Sequence, residues 1–418
     1  MKNIVSPFTD TANTLLRRVT GEDADHSGPQ SMLFNWTGRN HETPFSTALL
    51  DQLGLPLVAD PVELSQSQDL IATGRNYLRQ DRLDLLAGAI TQHDKSRDTT
   101  TSGTPFAELL AAGARSDLSR ALYSASEAGA LVAGSRVFEG LSLLDEAACD
   151  HKSNPICASV LALTYMDAGW AWYRQGWQRG SPKTYLPQFQ EAFGTAAELL
   201  APVCAIEHDS PLVASTRCAL LAGLTDAEER VVDDFEDLID LAPTMPGHMR
   251  AFGLHLLPCW FGSYHKLEIE ARRTAARTED VWGAGGYAWV YLDAALQDGA
   301  CFAFLDTDFF LEAIDDILER RGTQHIANML AAYLSRMLAR ERGDGPDRTQ
   351  RRALQERRDR ILRSDMHEVH PWVWALMDSG YATPGNTAPA GEEELEIGTQ
   401  QAWDTICSVF SKELAQLA

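Results

Sequence analysis

From about residue 60 onward the apolar positions recur every three or four residues, the spacing that gathers them on one face of an α-helix. Strict alternation, the mark of a half-buried strand, is almost absent, and β-branched runs are few. Several helix starts are marked by residues that can satisfy free backbone N–H groups. Asn154 stands before Pro155, Asp209-Ser210 before Pro211, Thr225 before an acidic turn, and Pro246-Gly247 at a fourth start. The spacers between periodic segments are short. Long helices joined by tight turns pair as hairpins, so the pattern predicts an all-α chain, a right-handed α-solenoid of helical hairpins.

The clearest unit is "TDAEERVVDDFEDLIDLAP", Thr225 to Pro243, where Val231, Phe235, Leu238 and Ile239 share a face and Pro243 closes the helix. An aromatic, an apolar residue three positions on and a proline eight on make this segment resemble the second helix of a tetratricopeptide repeat. "YLPQFQEAFGTAAELLAPV" is a looser copy ending at Pro202. The two prolines are 41 residues apart, longer than the repeat period of about 34, so a degenerate, tetratricopeptide-like array is expected. Two further stretches resemble a family of uncharacterised bacterial proteins with such helices. The first is Trp177, Arg179, Gly180 and Ser181 at the end of a long helix. The second is Leu257, Pro258, Trp260, Gly262 and Ser263 at a helix junction, with Cys259 and Phe261 where the family pattern has arginine and glycine. The resemblance covers roughly residues 155 to 280 and implies a fold without implying catalytic residues.

The expected organisation is an N-terminal mixed segment (1–60), a helical region (61–150) and the tetratricopeptide-like array (151–342). An Arg-rich helical segment (343–382), an acidic linker (383–398) and a C-terminal amphipathic helix (399–418) follow. "DKSRDTTTSGT" (94–104) reads as a loop and "RGDGPDRT" (342–349) as a break between helices. The last helix carries Trp403, Ile406, Phe410 and Leu414 on one stripe, which must dock on the body or on a partner.

Charge narrows the partners. The formal net charge is −23, a field that repels nucleic acid and anionic lipid and favours a basic protein or peptide. The N-terminus has no secretory-signal pattern, no apolar run has transmembrane length, and the seven cysteines are scattered. These features predict a cytoplasmic protein with reduced thiols, no nucleic-acid partner and no membrane partner; the oligomeric state stays open.

Candidate chemistry is sparse. In "GWAWYRQGWQRGS", helical geometry puts Trp170, Tyr173 and Trp177 on one stripe with Leu163 and Met166, and Trp172 on the other side with Leu161 and Tyr165. Two apolar faces indicate a helix packed from both sides, with the rings near its end free to stack on a ligand. Trp172, Arg174, Trp177, Arg179 and Trp260 are therefore the expected peptide contacts. His248 and His255 lie seven apart with His265 beyond them, and His367 and His370 are i, i+3; neither group has a metal complement nearby. Gly283, Gly285 and Gly286 miss the dinucleotide and phosphate-loop spacings and read as a close helix approach or a helix start. Acid pairs such as Asp233-Asp234, Glu236-Asp237 and Asp315-Asp316 read as solvated faces. Arg336 to Arg363 holds ten arginines against five acids; it could be a salt-bridged surface helix, a docking element for the acidic body, or a nucleic-acid contact. No cofactor, metal or catalytic residue is predicted.

The leading expectation is a cytoplasmic scaffold binding a protein or peptide along its concave face. The alternatives are an enzyme whose site is assembled from distant helices, with His248, His255, His265 and nearby acids as candidates, and a module that self-associates through its C-terminal helix.

Overall fold

The computed structural model describes residues 45–58, 62–132, 134–148, 153–341, 343, 345–379 and 392–417. Among them the regular elements are helical, apart from two isolated β-bridges. The chain is all-α, as its periodicity predicts. The first helices are α1 (Thr47–Gln52), α2 (Val62–Arg79), α3 (Leu83–Ser96), α4 (Phe106–Glu127), α5 (Arg136–Ala147), α6 (Pro155–Gln178) and α7 (Pro182–Leu200). The middle of the chain forms α8 (Ala205–His208), α9 (Pro211–Leu220), α10 (Ala227–Leu241), α11 (Pro246–His255), α12 (Tyr264–Arg277), α13 (Glu279–Trp282) and α14 (Gly285–Gln297). Then come α15 (Thr307–Arg321), α16 (Gln324–Ala339), α17 (Arg348–Arg360), α18 (Pro371–Ser379), α19 (Glu392–Val409) and α20 (Ser411–Leu417). None of the described helices is long and apolar enough to cross a membrane.

The start signals act as expected at α6, where the Asn154 side chain accepts from the Ile156 and Cys157 amides, and at α9, where Ser210 accepts from Val213. Pro246 is the first residue of α11. The helix expected from Thr225 begins two residues later, with Asp226 at the cap position.

Helices pack on chain neighbours and on helices two or more places away. α14 touches α11, α12, α15 and α16, and α16 touches α14, α15, α17 and α18. α14 is buried nearly all round, with Tyr287, Trp289, Tyr291 and Leu292 at 0% exposure, so it fills the middle of the main core. Three smaller apolar clusters surround α6.

The two ends of the described chain meet. Val58 N–H donates to Val369 C=O and Val369 N–H to Pro56 C=O, each at 2.9 Å, and Phe45 packs edge-on to Trp403. Residues 45–58 therefore belong to the body, while 1–44 of the expected mixed segment lie outside the described residues. The acidic linker expected to reach 398 is corrected. Residues 392–398 are the first turns of α19, and 383–391 lie outside the described residues. The C-terminal stripe docks on the body: Trp403, Ile406, Phe410 and Leu414 are all buried.

The Arg-rich segment docks on its own chain as well. Arg351 donates to the C=O groups of Leu338 (2.7 Å) and Arg340 (2.5 Å) at the end of α16, and Arg340 donates to Leu296 C=O (2.8 Å) in the last turn of α14. Arg363 bonds Val409 C=O and Glu413 and lies 4.5 Å over the Phe410 ring. Cations placed at helix C-termini satisfy carbonyls that have no partner within the helix.

Candidate functional site

The long helix α6 divides the sequence-selected residues between its two sides. On one side Trp170 meets Phe189 at 5.2 Å, Tyr173 at 5.6 Å and Trp260 at 6.3 Å, and Tyr173 meets Trp177 at 6.1 Å. Trp177, Tyr173, Trp170 and Trp260 are each half-buried, so the four rings form a continuous aromatic run from the end of α6 to the α11–α12 turn. On the other side Trp172 is buried, with the rings of Phe138 (5.4 Å, 9°) and Tyr185 (5.7 Å, 19°) both stacked against it. Arg174 there pairs with Glu127 at 3.0 Å and lies over Tyr123, while Arg179 donates to Tyr185 Oη at 3.3 Å and to Gly129 C=O. The five residues expected on one surface thus stand on two. Trp177 and Trp260 are brought together by the run, whereas Trp172, Arg174 and Arg179 hold α6 against α4, α5 and α7. Trp172 is 6% exposed and its ring is stacked within the protein by Phe138 and Tyr185.

A second constellation joins segments far apart in sequence. Glu63, in the first turn of α2, is 6% exposed, and its carboxylate accepts from the hydroxyls of Thr100 (2.6 Å), Thr101 (2.8 Å) and Ser102 (2.5 Å) and from Ser102 N–H (2.9 Å). The loop read as "DKSRDTTTSGT" is therefore an ordered cradle for one buried acid. Beyond Glu63 lie His325 in the first turn of α16 and His370 just before α18, 6% and 3% exposed, with ring centroids 6.4 Å apart. Asn328 fixes this end. Its Oδ1 accepts from His370 N–H (3.0 Å) and Trp374 Nε1–H (3.1 Å), while its amide donates to Gln324 and Glu368 C=O. The Nδ1 atoms of both histidines are sealed from solvent without a hydrogen-bond partner.

Electrostatics follow from this burial. Burial pushes His325 down to about 4, with His370 and Arg250 acting in the same direction against the pull of Glu63. Burial alone would raise Glu63, but His325 and the three hydroxyl donors outweigh it and hold the carboxyl below its ordinary range. Neighbouring Arg250 (α11, 9% exposed) is neutralised by Asp293 (α14), with Nε–Oδ2 at 3.0 Å and Nη2–Oδ1 at 3.1 Å, and both groups bond Tyr333 Oη (α16). The cluster places a neutral imidazole beside an ionised carboxylate in a dry setting, an arrangement suited to holding a proton or a cation.

The histidines selected from sequence do not converge. His248 in the first turn of α11 pairs with Glu108 at 3.0 Å, His255 in its last turn bonds Ala251 C=O at 2.8 Å, and His265 is exposed on α12. Among the described residues no three His, Cys, Asp or Glu side chains gather in a metal-holding group. Gly286 is the second residue of α14, where a side chain would strike Thr278 Oγ1 at 2.5 Å, so the glycine cluster serves close packing at a helix start.

The acids of α10 form a solvated stripe, but Glu270 on the facing α12 is 4% exposed. One of its oxygens accepts from Arg273 at 2.9 Å, and the other is buried without a partner. Burial raises its carboxyl above the ordinary 4.5; Arg273 opposes this and Glu236 adds to it. A carboxyl whose folded value lies above its unfolded one favours the fold at acid pH and loses that contribution as pH rises through the folded value. Glu270→Gln is expected to raise the Tm at pH 7 by about 2 °C and to leave it unchanged below pH 4. Thermal unfolding at the two pH values checks this, and equal shifts at both would contradict it.

Local spacing could not reveal the second constellation. Thr100 and Glu63 are 37 residues apart, and Glu63 and His325, whose charges interact, stand on α2 and α16, far apart in the sequence. The one local signal was His367-x-x-His370, of which only His370 enters the cluster. Compared with protein-family models, with curated proteins and with solved structures, the chain finds no match.

Proposed function

We propose that the chain is a tetratricopeptide-like α-solenoid that serves as a cytoplasmic scaffold, binding a basic segment of a partner protein along the aromatic run of α6 and Trp260. The observation that carries this reading is the half-buried series Trp177–Tyr173–Trp170–Trp260, which runs from the end of α6 to the α11–α12 turn. Rigid amphipathic rings give large contact area at low entropic cost, and indoles attract cations over their faces. The net charge of −23 draws a basic partner by long-range attraction.

Affinity capture with the intact chain is expected to recover a stoichiometric basic partner, lost on Trp177→Ala or Trp260→Ala and retained on Arg174→Ala. Normal recovery by folded Trp177→Ala and Trp260→Ala proteins would overturn the assignment.

A further inference from the structure

We propose that His325 and His370 form a two-coordinate site for a soft monovalent metal ion, copper(I), bound through their Nδ1 atoms with Glu63 as the balancing charge. Both Nδ1 atoms are sealed from solvent and take part in no hydrogen bond. A buried ring nitrogen left in this way costs free energy unless a ligand meets it.

The state of His370 is fixed by its other nitrogen. Nε2 lies 2.9 Å from Glu368 Oε1, so Nε2 carries the proton and donates it, which leaves a lone pair on Nδ1. A carboxylate behind the second nitrogen is the arrangement that orients metal-ligating histidines and raises their basicity. Asn328 holds the His370 backbone and Trp374 in place, so the ligand is positioned before any ion arrives.

The spacing of the two rings admits a two-coordinate ion between them. Two metal–nitrogen bonds of about 2.0 Å, each prolonged by roughly 1.2 Å from nitrogen to ring centre, span about 6.4 Å in a straight line. The two ring centroids are 6.4 Å apart. Zinc(II) needs four ligands, and among the described residues no third His, Cys, Asp or Glu completes a group. A filled-shell monovalent ion such as copper(I) accepts two nitrogen donors in line, and imidazole suits copper.

Charge agrees with the choice. A buried cation needs a nearby anion. Glu63 acts electrostatically on His325 from a carboxylate held by three hydroxyls and a backbone amide, whereas the Arg250 charge is already met by Asp293. The Glu63 carboxylate thus stands as the counter-charge for the one positive charge of copper(I).

The test is anaerobic titration of the full chain against a chromogenic copper(I) chelator, carried out on the Cys204→Ser protein because Cys204 is an exposed thiol. One equivalent of copper(I) is expected to leave the chelator, and X-ray absorption is expected to show two nitrogen neighbours and no sulfur. His325→Gln and His370→Gln are each expected to weaken binding 100-fold or more, and His255→Gln to leave it unchanged. Should either ligand variant fail to fold, Glu368→Gln keeps both ligands and is expected to lower affinity about 10-fold. Absence of copper(I) uptake, sulfur-dominated absorption, or undiminished binding in the folded His or Glu368 variants would overturn the proposal.

Discussion

Gly253→Ala is expected to lower the unfolding free energy by about 2–4 kcal/mol, although the same change at an exposed helical position raises it by about 1 kcal/mol. The reversal follows from the crossing of α11 and α14. A Cβ at Gly253 would overlap the backbone carbonyl oxygen of Val290, and a backbone atom cannot rotate out of the way. The two helices would have to separate, and α14 is the element around which α11, α12, α15 and α16 are arranged. Denaturant unfolding of Gly253→Ala beside an exposed control, Gly194→Ala, whose added Cβ meets nothing within 4 Å, checks this. A stabilised Gly253→Ala protein would show that the crossing is wrongly described.

Arg250→Met is expected to destabilise by about 3–5 kcal/mol, because it leaves Asp293 charged, buried and without its guanidinium partner. Arg250 and Asp293 side chains are only 10% and 11% exposed, and Tyr333 bonds both, so the triad ties α11, α14 and α16 together. The penalty belongs to the stranded carboxylate more than to the pair. Arg250→Met combined with Asp293→Leu should therefore recover a large part of the loss. A double-mutant cycle in urea reads the coupling. Additive losses would mean that Asp293 finds another partner and that the triad is not the link.

How much of this the sequence discloses depends on the range of the interaction involved. Helix existence and several helix starts were legible, since the caps at Asn154 and Ser210 act within three residues of themselves. The two-sided division of α6 was legible as well. Period alone separates Trp170, Tyr173 and Trp177 from Trp172, and the structure packs Trp170 and Tyr173 into one apolar cluster and Trp172 into another, with Trp177 against Tyr173. Partners at long separation were not legible. Trp260 reaches Trp170 only through folding, and that contact extends a local aromatic run from α6 to the α11–α12 turn. Arg174 and Arg179 were grouped with the rings by proximity in sequence, yet they point to α4 and α7, where Glu127, Gly129 and Tyr185 receive them. The polar run at 383–398 misled for a different reason. Acid-rich, glycine- and proline-containing sequence reads as linker composition, yet its last residues from 392 onward are the start of α19. Glu63 gave no sign of its role, because a lone acid in a first turn looks like any other until the hydroxyls of Thr100, Thr101 and Ser102 close on it.

The scaffold reading is tested most directly by hydroxyl-radical footprinting of the tryptophans in the free protein and in its complex with the captured partner. Trp177 and Trp260 are half-buried and should react in the free chain, whereas Trp289 is fully buried and should not. In the complex the account predicts strong protection of Trp177 and Trp260 with Trp289 silent throughout. Unchanged reactivity of Trp177 and Trp260 in a stoichiometric complex would contradict it.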